Sequence, residues 1–514
     1  MGKPATETQT TMTRTLLFLI ALFAAGPLSA QQITDSTALR HARAVWDEFK
    51  ALLALSNDAH FPDDIEKNVQ WCETAFPRRG FSTRRLSTDG IPLLLAERKS
   101  PRKNAPTVLA YLQLDGQPVD PDHWQQDSPW KAVLKKQVEG QGWVEIPWQE
   151  LQHRPDPDWR IFARSTSDAK GPVMIFLAAM DALDASGGEL PYHLKVIMDF
   201  EEELGSPRMA KAVETYRSDL AADAFVIFDG PPHISNEPTL SFGARGIAEI
   251  SLSVIGPALP QHSGHYGNYC PNPALRLAQL LAGMKDEQGR VSIPGFYDGI
   301  SIDENTKAEM ARVPDNEAYI RAQLGISQPD QVGGSYQESL QYPSLNIRGM
   351  ASGWIGDEVR TIIPSVATAE LDLRLVMESD PERLIGLVRK YVEDQGYLIL
   401  DRRPTQQERL QHDKICRFES SVSYKAFRTE LDSPTGQWLS RALIRAHGKA
   451  PIKIRTAGGS IPISPFVTTL GVPAVAVPTV NPDNNQHSPN ENIRVGNFID
   501  GIKTILAVLT EPLR

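Results

Sequence analysis

An α/β fold, with a mostly parallel sheet in the main domain and a smaller two-layer α+β domain inserted into it, follows from two patterns in the sequence. Short apolar runs with strand character at residues 107–112, 194–198, 224–228 and 474–477 alternate with stretches of helical composition, the order expected of βαβ units. Between them, residues 247–254 and 367–375 alternate apolar with polar residues, and 273–284 and 382–395 have helical spacing. That is the signature of a sheet with one face buried under helices. The main domain is therefore expected over residues 31–244 and 428–514, with the insertion at 245–427.

Residues 1–30 have the make-up of a secretory signal: Lys3 and Arg14, an apolar core at 16–25, and small residues up to Ala30. The core is shorter than the roughly 20 residues that span a bilayer, so an exported chain, periplasmic or extracellular, with no stable membrane span is expected. The 514 residues leave ample apolar material for a core. With 53 basic and 63 acidic residues, a net charge of -10 and no basic block, the chain is not expected to bind nucleic acid. Cys72, Cys270 and Cys416 are too few for a disulfide framework, although one pair is possible.

Apolar spacing predicts helices over residues 35–76. The run at 107–112 reads as a buried strand leading into Gln113-Leu114-Asp115-Gly116. Residues 121–160 hold five of the nine tryptophans among prolines and charges, and they read as an ordered surface excursion rather than a sheet unit, its aromatics packing it down. Asp168 precedes Gly171-Pro172 and a helix expected over 173–183. A further helix is expected over 436–447, before the last strand.

The most informative stretch is Asp199-Phe200-Glu201-Glu202-Glu203-Leu204-Gly205-Ser206, directly behind the apolar run 194–198. A solvated acidic run would have polar flanks; here a strand delivers the charges and a glycine turns the chain away. In open α/β sheets ligands gather outside the carboxyl ends of strands. Asp168, Glu202 with Glu203, Asp229 after the strand 224–228, and His487 thus offer carboxylate and imidazole ligands for Zn2+, with Mn2+ or Co2+ as alternatives. Two adjacent glutamates allow one to hold metal while its neighbour handles protons.

Four motifs, Glu202-Glu203-Leu204-Gly205-Ser206, His262-Ser263-Gly264, Gly458-Gly459-Ser460-Ile461-Pro462 and His487-Ser488-Pro489-Asn490-Glu491, together make the chain resemble the dinuclear zinc family of aminoacylases, glutamate carboxypeptidases and dipeptidases, carnosinase-like members included. The resemblance implies a catalytic domain carrying a lid that also pairs two chains in a homodimer. It implies that Asp168 bridges two metals, that Glu203 and His487 complete one site and that Asp229 serves the other. Glu202 would be the general base, and His262 would reach the partner's site to steady the oxyanion. Arg374 and Arg455, with Gly459 and Ser460, would grip the substrate, a guanidinium matching a carboxylate.

Where that family has His-x-Asp, this chain has Gln113-Leu114-Asp115, so the metal ligand is a neutral amide and Asp115 loses the ring it would orient. Asp115 would then bond the Gln113 amide or recruit a water. A second departure puts Ala169 where an acidic residue is usual. One or two metals per chain are expected. The implied activity is an exported metallopeptidase of dipeptidase or carboxypeptidase type acting on a small peptide. An N-acyl amino acid deacylase of the same fold, or a binding protein impaired by Gln113, are the alternatives. No Gly-x-Ser-x-Gly elbow of a serine hydrolase occurs.

Overall fold

The computed structural model describes residues 2, 34–459 and 461–513. The expected leader thus lies, but for Gly2, outside the described residues. From residue 34 on the described residues belong to one compact unit, and none of their helices is long and apolar enough to cross a membrane.

The main sheet has eight strands. Its centre is four parallel strands in the spatial order His193–Asp199, Thr107–Gln113, Ala224–Ile227 and Ala474–Ala476. Two antiparallel strands, Ser82–Leu86 and Leu93–Arg98, extend one edge, and Thr239–Ser241 with Ile452–Ile454 extend the other. Both faces are covered, which is why the central strands read as unbroken apolar runs rather than alternating ones. Val108, Ala110, Leu112, Val196 and Met198 face one core. Helices Asp35–Leu53, Lys170–Ala185, Pro434–His447 and Val495–Thr510 pack there. Leu109, Tyr111, Ile197, Phe225 and Ile227 face the other, under Met209–Thr215 and Ser464–Leu470.

Within residues 245–427, none of the strands Gly246–Ile255, Ser344–Ala351, Val366–Leu375, Leu398–Leu400 and Ile415–Tyr424 joins that sheet; they form a five-stranded sheet of their own. Along Gly246–Ile255 every second residue is buried. Ala248, Ile250, Leu252 and Val254 pack beneath Leu277 and Leu281 of one helix and Leu384 and Val388 of another. The chain leaves and returns side by side, Gly243 pairing Arg428 and Ala244 pairing Phe427.

The tryptophan-rich excursion departs from the sequence reading. Val133–Val138, Gly142–Ile146 and Arg160–Phe162 form an antiparallel sheet completed by Asn492–Arg494. Its pairing to a strand more than 300 residues away gives no local signal. The tryptophans do pack it down: Trp143 meets Phe162 edge-on with centroids 5.4 Å apart, and Trp124 lies under the Arg164 guanidinium. The three cysteines are unpaired, two of them buried, so the pair considered possible does not form.

Candidate metal centre

Parallel strands point their carboxyl ends the same way, and here four of them end along one ridge. Gln113 closes one strand, registered against Asp199 at the end of the next. Asp229 follows Ala224–Ile227, and the loop to His487 follows Ala474–Ala476. Gln113, Asp168, Glu202, Glu203, Asp229 and His487 consequently line one cavity of about 850 Å³.

The turn after Asp199 is held by that residue's own carboxylate. It accepts from the Glu201 backbone N–H at 3.1 Å and the Tyr111 hydroxyl at 3.0 Å, while Ser206 Oγ also donates to it. Gly205, at φ +78°, turns the chain away where a side chain would be strained. Glu201, first of the three glutamates, pairs with Arg208 and lies outside the cavity lining. Asp115 is fully buried and accepts from the Glu203 backbone N–H at 3.0 Å, so it fixes the Glu202-Glu203 turn rather than the Gln113 amide.

Asp168 is set by the last residue of the His487-Ser488-Pro489-Asn490-Glu491 motif, for which the sequence implies no role. Glu491, fully buried, takes the backbone N–H groups of Ser165, Ser167 and Asp168, each at 2.9 Å, and pairs with Arg164 at 2.8 Å. Both charges of this pair are buried, and the extra N–H donors supply the compensation that such a pair requires. Gly171 permits the close turn into the following helix, since a Cβ there would stand 2.0 Å from the Thr166 carbonyl oxygen. Gln117 also escaped notice; its amide donates to Glu203 Oε2 at 2.7 Å.

The result is a three-ligand cluster. One ligand atom each of Asp168, Glu203 and His487 lies within 4.8 Å of the others. His487 Nε2 stands 3.0 Å from Asp168 Oδ2 and 3.3 Å from Glu203 Oε2, and the hydrogen bond to Asp168 raises the His487 pKa. Burial, then the Asp168 charge, pushes Glu203 up to about 9 and Asp229 to about 7. Burial and the carboxylates around it also hold Glu202 well above the usual carboxylate range. Glu203 Oε1 is buried with no hydrogen-bond partner. Converging carboxylates, an imidazole and an orphaned oxygen fit a divalent cation with mixed oxygen and nitrogen ligands.

On the Asp229 side a neutral amide stands where the first site has an imidazole. Gln113 Nε2 donates to Asp168 Oδ1 at 2.8 Å while its Oε1 is buried without a hydrogen-bond partner, a weaker ligand oxygen than an imidazole nitrogen for zinc, and Asp229 accepts from the Gly230 N–H.

Of the remaining expected site residues, Arg374 and Gly459 line the cavity, and Arg374 Nε donates to Asp372 at 3.0 Å. Ser460 lies outside the described residues. Arg455 is not on the wall, although its neighbours Ile454 and Ala457 are; its guanidinium faces the charges of Arg428, Glu430 and Glu378. His262 is exposed and outside its own chain's cavity lining, with Nδ1 accepting from the Gly264 N–H.

A model of peptidase family M20/M25/M40 matches residues 132–511. The chain belongs to that family. Among its relatives, the Cys-Gly metallodipeptidase DUG1 of Saccharomyces cerevisiae is 26% identical over 436 residues, 82% of each chain. The Beta-Ala-His dipeptidase of Homo sapiens is 26% identical over 431 residues, 82% of this chain and 77% of that one. An M20 family metallo-carboxypeptidase from Sulfolobus solfataricus shares the fold with a TM-score of 0.73 at 24% identity, over 90% of this chain and 98% of that one. Family and ligand cluster together make this chain a peptide-hydrolysing metalloenzyme.

The crowded carboxylates predict an unusual pH response. Glu203 and Asp229 titrate above their ordinary values of 4.5 and 3.8. Their contribution to stability is therefore present below those values and lost as pH rises through about 7 and about 9. The raised His487 acts in the same direction. Through these groups metal-free protein should lose stability as pH rises from about 5 to 9, against smaller opposite contributions from His447 and Lys170, whose pKa values burial lowers to about 4 and about 7. Zinc should suppress the loss because its ligands bind deprotonated. Urea midpoints across that window, with and without zinc, check this; a metal-free midpoint that stays level or rises would refute it.

Proposed function

We propose that this chain is an exported metallodipeptidase that hydrolyses the amide bond of dipeptides, with Glu202 as general base. The observation that carries the proposal is the placing of Glu202 in one cavity with the Asp168, Glu203 and His487 cluster. The dipeptidase names of the relatives supply the substrate class.

Asp168, Glu203 and His487 would hold zinc, or manganese or cobalt, which supplies Lewis-acid polarisation of the scissile carbonyl and acidifies water. Glu202 takes the proton of the attacking water on its carboxylate and delivers it to the departing amine. Burial, then the charges of Glu203, Asp229 and Asp168, raises its proton affinity. Asp115 holds the backbone of the adjacent Glu203 through this exchange. Arg374 meets the substrate carboxylate, and Gly458 with Gly459 leave room for the substrate backbone. Residues 245–427 act as a lid and as the pairing surface of a homodimer, and the exposed His262 serves the partner's cavity. Export rests on the composition of residues 1–30, and N-terminal sequencing of secreted protein should find residue 31 first.

Glu202→Gln should keep bound zinc per chain unchanged while lowering kcat roughly 10²-fold or more; Glu203→Gln should lose zinc as well. Unimpaired turnover by Glu202→Gln removes it from the mechanism. Mixing Glu202→Gln with His262→Ala chains should recover activity in heterodimers, and failure to recover any would end the shared-site proposal.

The Gln113 amide facing Asp168 predicts one tightly held ion per chain. Gln113→His should raise the count towards two, with Asp115 placed behind the new ring. Plasma mass spectrometry on parent and variant, dialysed together, decides; two tight ions in the parent would contradict the prediction.

A further inference from the structure

Part of the cavity lining has no part in the chemistry above: a set of large apolar residues, Ile234, Ile320, Leu324, Tyr336 and Leu340. Three of these large side chains stay open to solvent: Leu324 is 65% exposed, Tyr336 42% and Ile234 39%. Helix Glu317–Leu324 has no fully buried residue, so it contributes nothing to the cores. Ile320 and Leu324, four apart, share the face it turns to the cavity.

This wall is fastened in place. His233, 5% exposed, sits four residues beyond Asp229 and meets Asp315 Oδ1 through Nε2 at 2.9 Å, while the Gln337 amide donates to Asp315 Oδ2 at 2.9 Å. Glu317 accepts from the Tyr336 backbone N–H at 3.1 Å, and Thr456 Oγ1 donates to Gln341 at 3.0 Å. A Cβ at Gly458 would lie 3.4 Å from Leu340 Cδ2 and 3.6 Å from the Tyr336 hydroxyl, which places the wall against the glycine loop. Asp315, the carboxylate on this side, is thus engaged with His233 and Gln337.

We propose that this wall is a specificity subsite for a bulky, uncharged apolar side chain, carried by the residue that bears the free carboxylate of the dipeptide. The proposal rests on the dipeptidase reading above. Pockets that bind small molecules hold apolar walls with a few oriented polar groups. Here the apolar wall shares its cavity with Arg374, a partner for a carboxylate, and with the metal ligands. The cavity, at about 850 Å³, leaves space beyond that filled by a dipeptide of two small residues.

The test compares zinc-loaded full-length protein on Gly-Leu, Gly-Gly, Leu-Gly and Gly-Asp. Gly-Leu should exceed each of the others in kcat/KM by tenfold or more, the range in which a pocket discriminates apolar groups. Leu324→Gln and Ile320→Asn should raise KM for Gly-Leu and shrink that preference to threefold or less, with Gly-Gly unchanged. Calorimetric binding of Gly-Leu and Gly-Gly to the Glu202→Gln chain reads the subsite separately. An apolar preference in binding without turnover by the parent would sink the dipeptidase reading and keep the subsite. Equal values for Gly-Leu and Gly-Gly, or equal gains for Leu-Gly and Gly-Leu, would overturn the subsite. So would variants that change oligomeric state but not preference, which would assign the face to a second copy of the chain.

Discussion

Bringing Asp115, Asp168, Glu202, Glu203 and Asp229 to one place sets like charges against each other where water screens them poorly, and much of the surrounding structure holds them there. Burial drives Asp115, Glu202, Glu203 and Asp229 towards their protonated forms, and so do neighbouring carboxylates. Glu491 places Asp168 through three backbone N–H groups and is itself neutralised by Arg164. Asp199 pins the turn that presents Glu202 and Glu203. These holders lie beneath the cavity surface, where packing keeps them rigid. A cation then relieves the repulsion that the fold sustains.

That arrangement was readable to the extent that it is local. An apolar strand running directly into three carboxylates betrays itself without any knowledge of the fold, because strand period and charge sit in adjacent residues. The four central strands of the main sheet, two of the five strands of the inserted sheet and the helices Asp35–Leu53, Lys170–Ala185 and Pro434–His447 followed from such signals, whereas the edge strands and the covering helix Val495–Thr510 did not. Asp168, Glu203 and His487 were put together by the family resemblance. What escaped depends on distance along the chain. The strand Asn492–Arg494 completes the excursion sheet from more than 300 residues away, and Glu491 reaches Asp168 across a similar gap. Nothing in residues 121–160 announces either pairing.

Arg455 illustrates a different limit. Its place before the glycines suggested a substrate grip, yet Arg455 sits in the bend that follows the strand Ile452–Ile454, and Ile454, not Arg455, lines the cavity. One residue of register separates a ligand-binding arginine from one in a structural charge cluster. The motif alone does not carry that information.

The two walls of the cavity differ in how they are stabilised. The carboxylate side grows from central strands with cores on both faces, so its geometry is backed by the most cooperative part of the molecule. The apolar side belongs to short helices fastened by a few side-chain hydrogen bonds, with little buried surface of their own. Metal ligands need placement to within a fraction of an ångström, whereas an apolar contact tolerates small shifts. A fold that keeps its chemistry on the rigid ridge and its selectivity on a lightly held wall can exchange the second without disturbing the first.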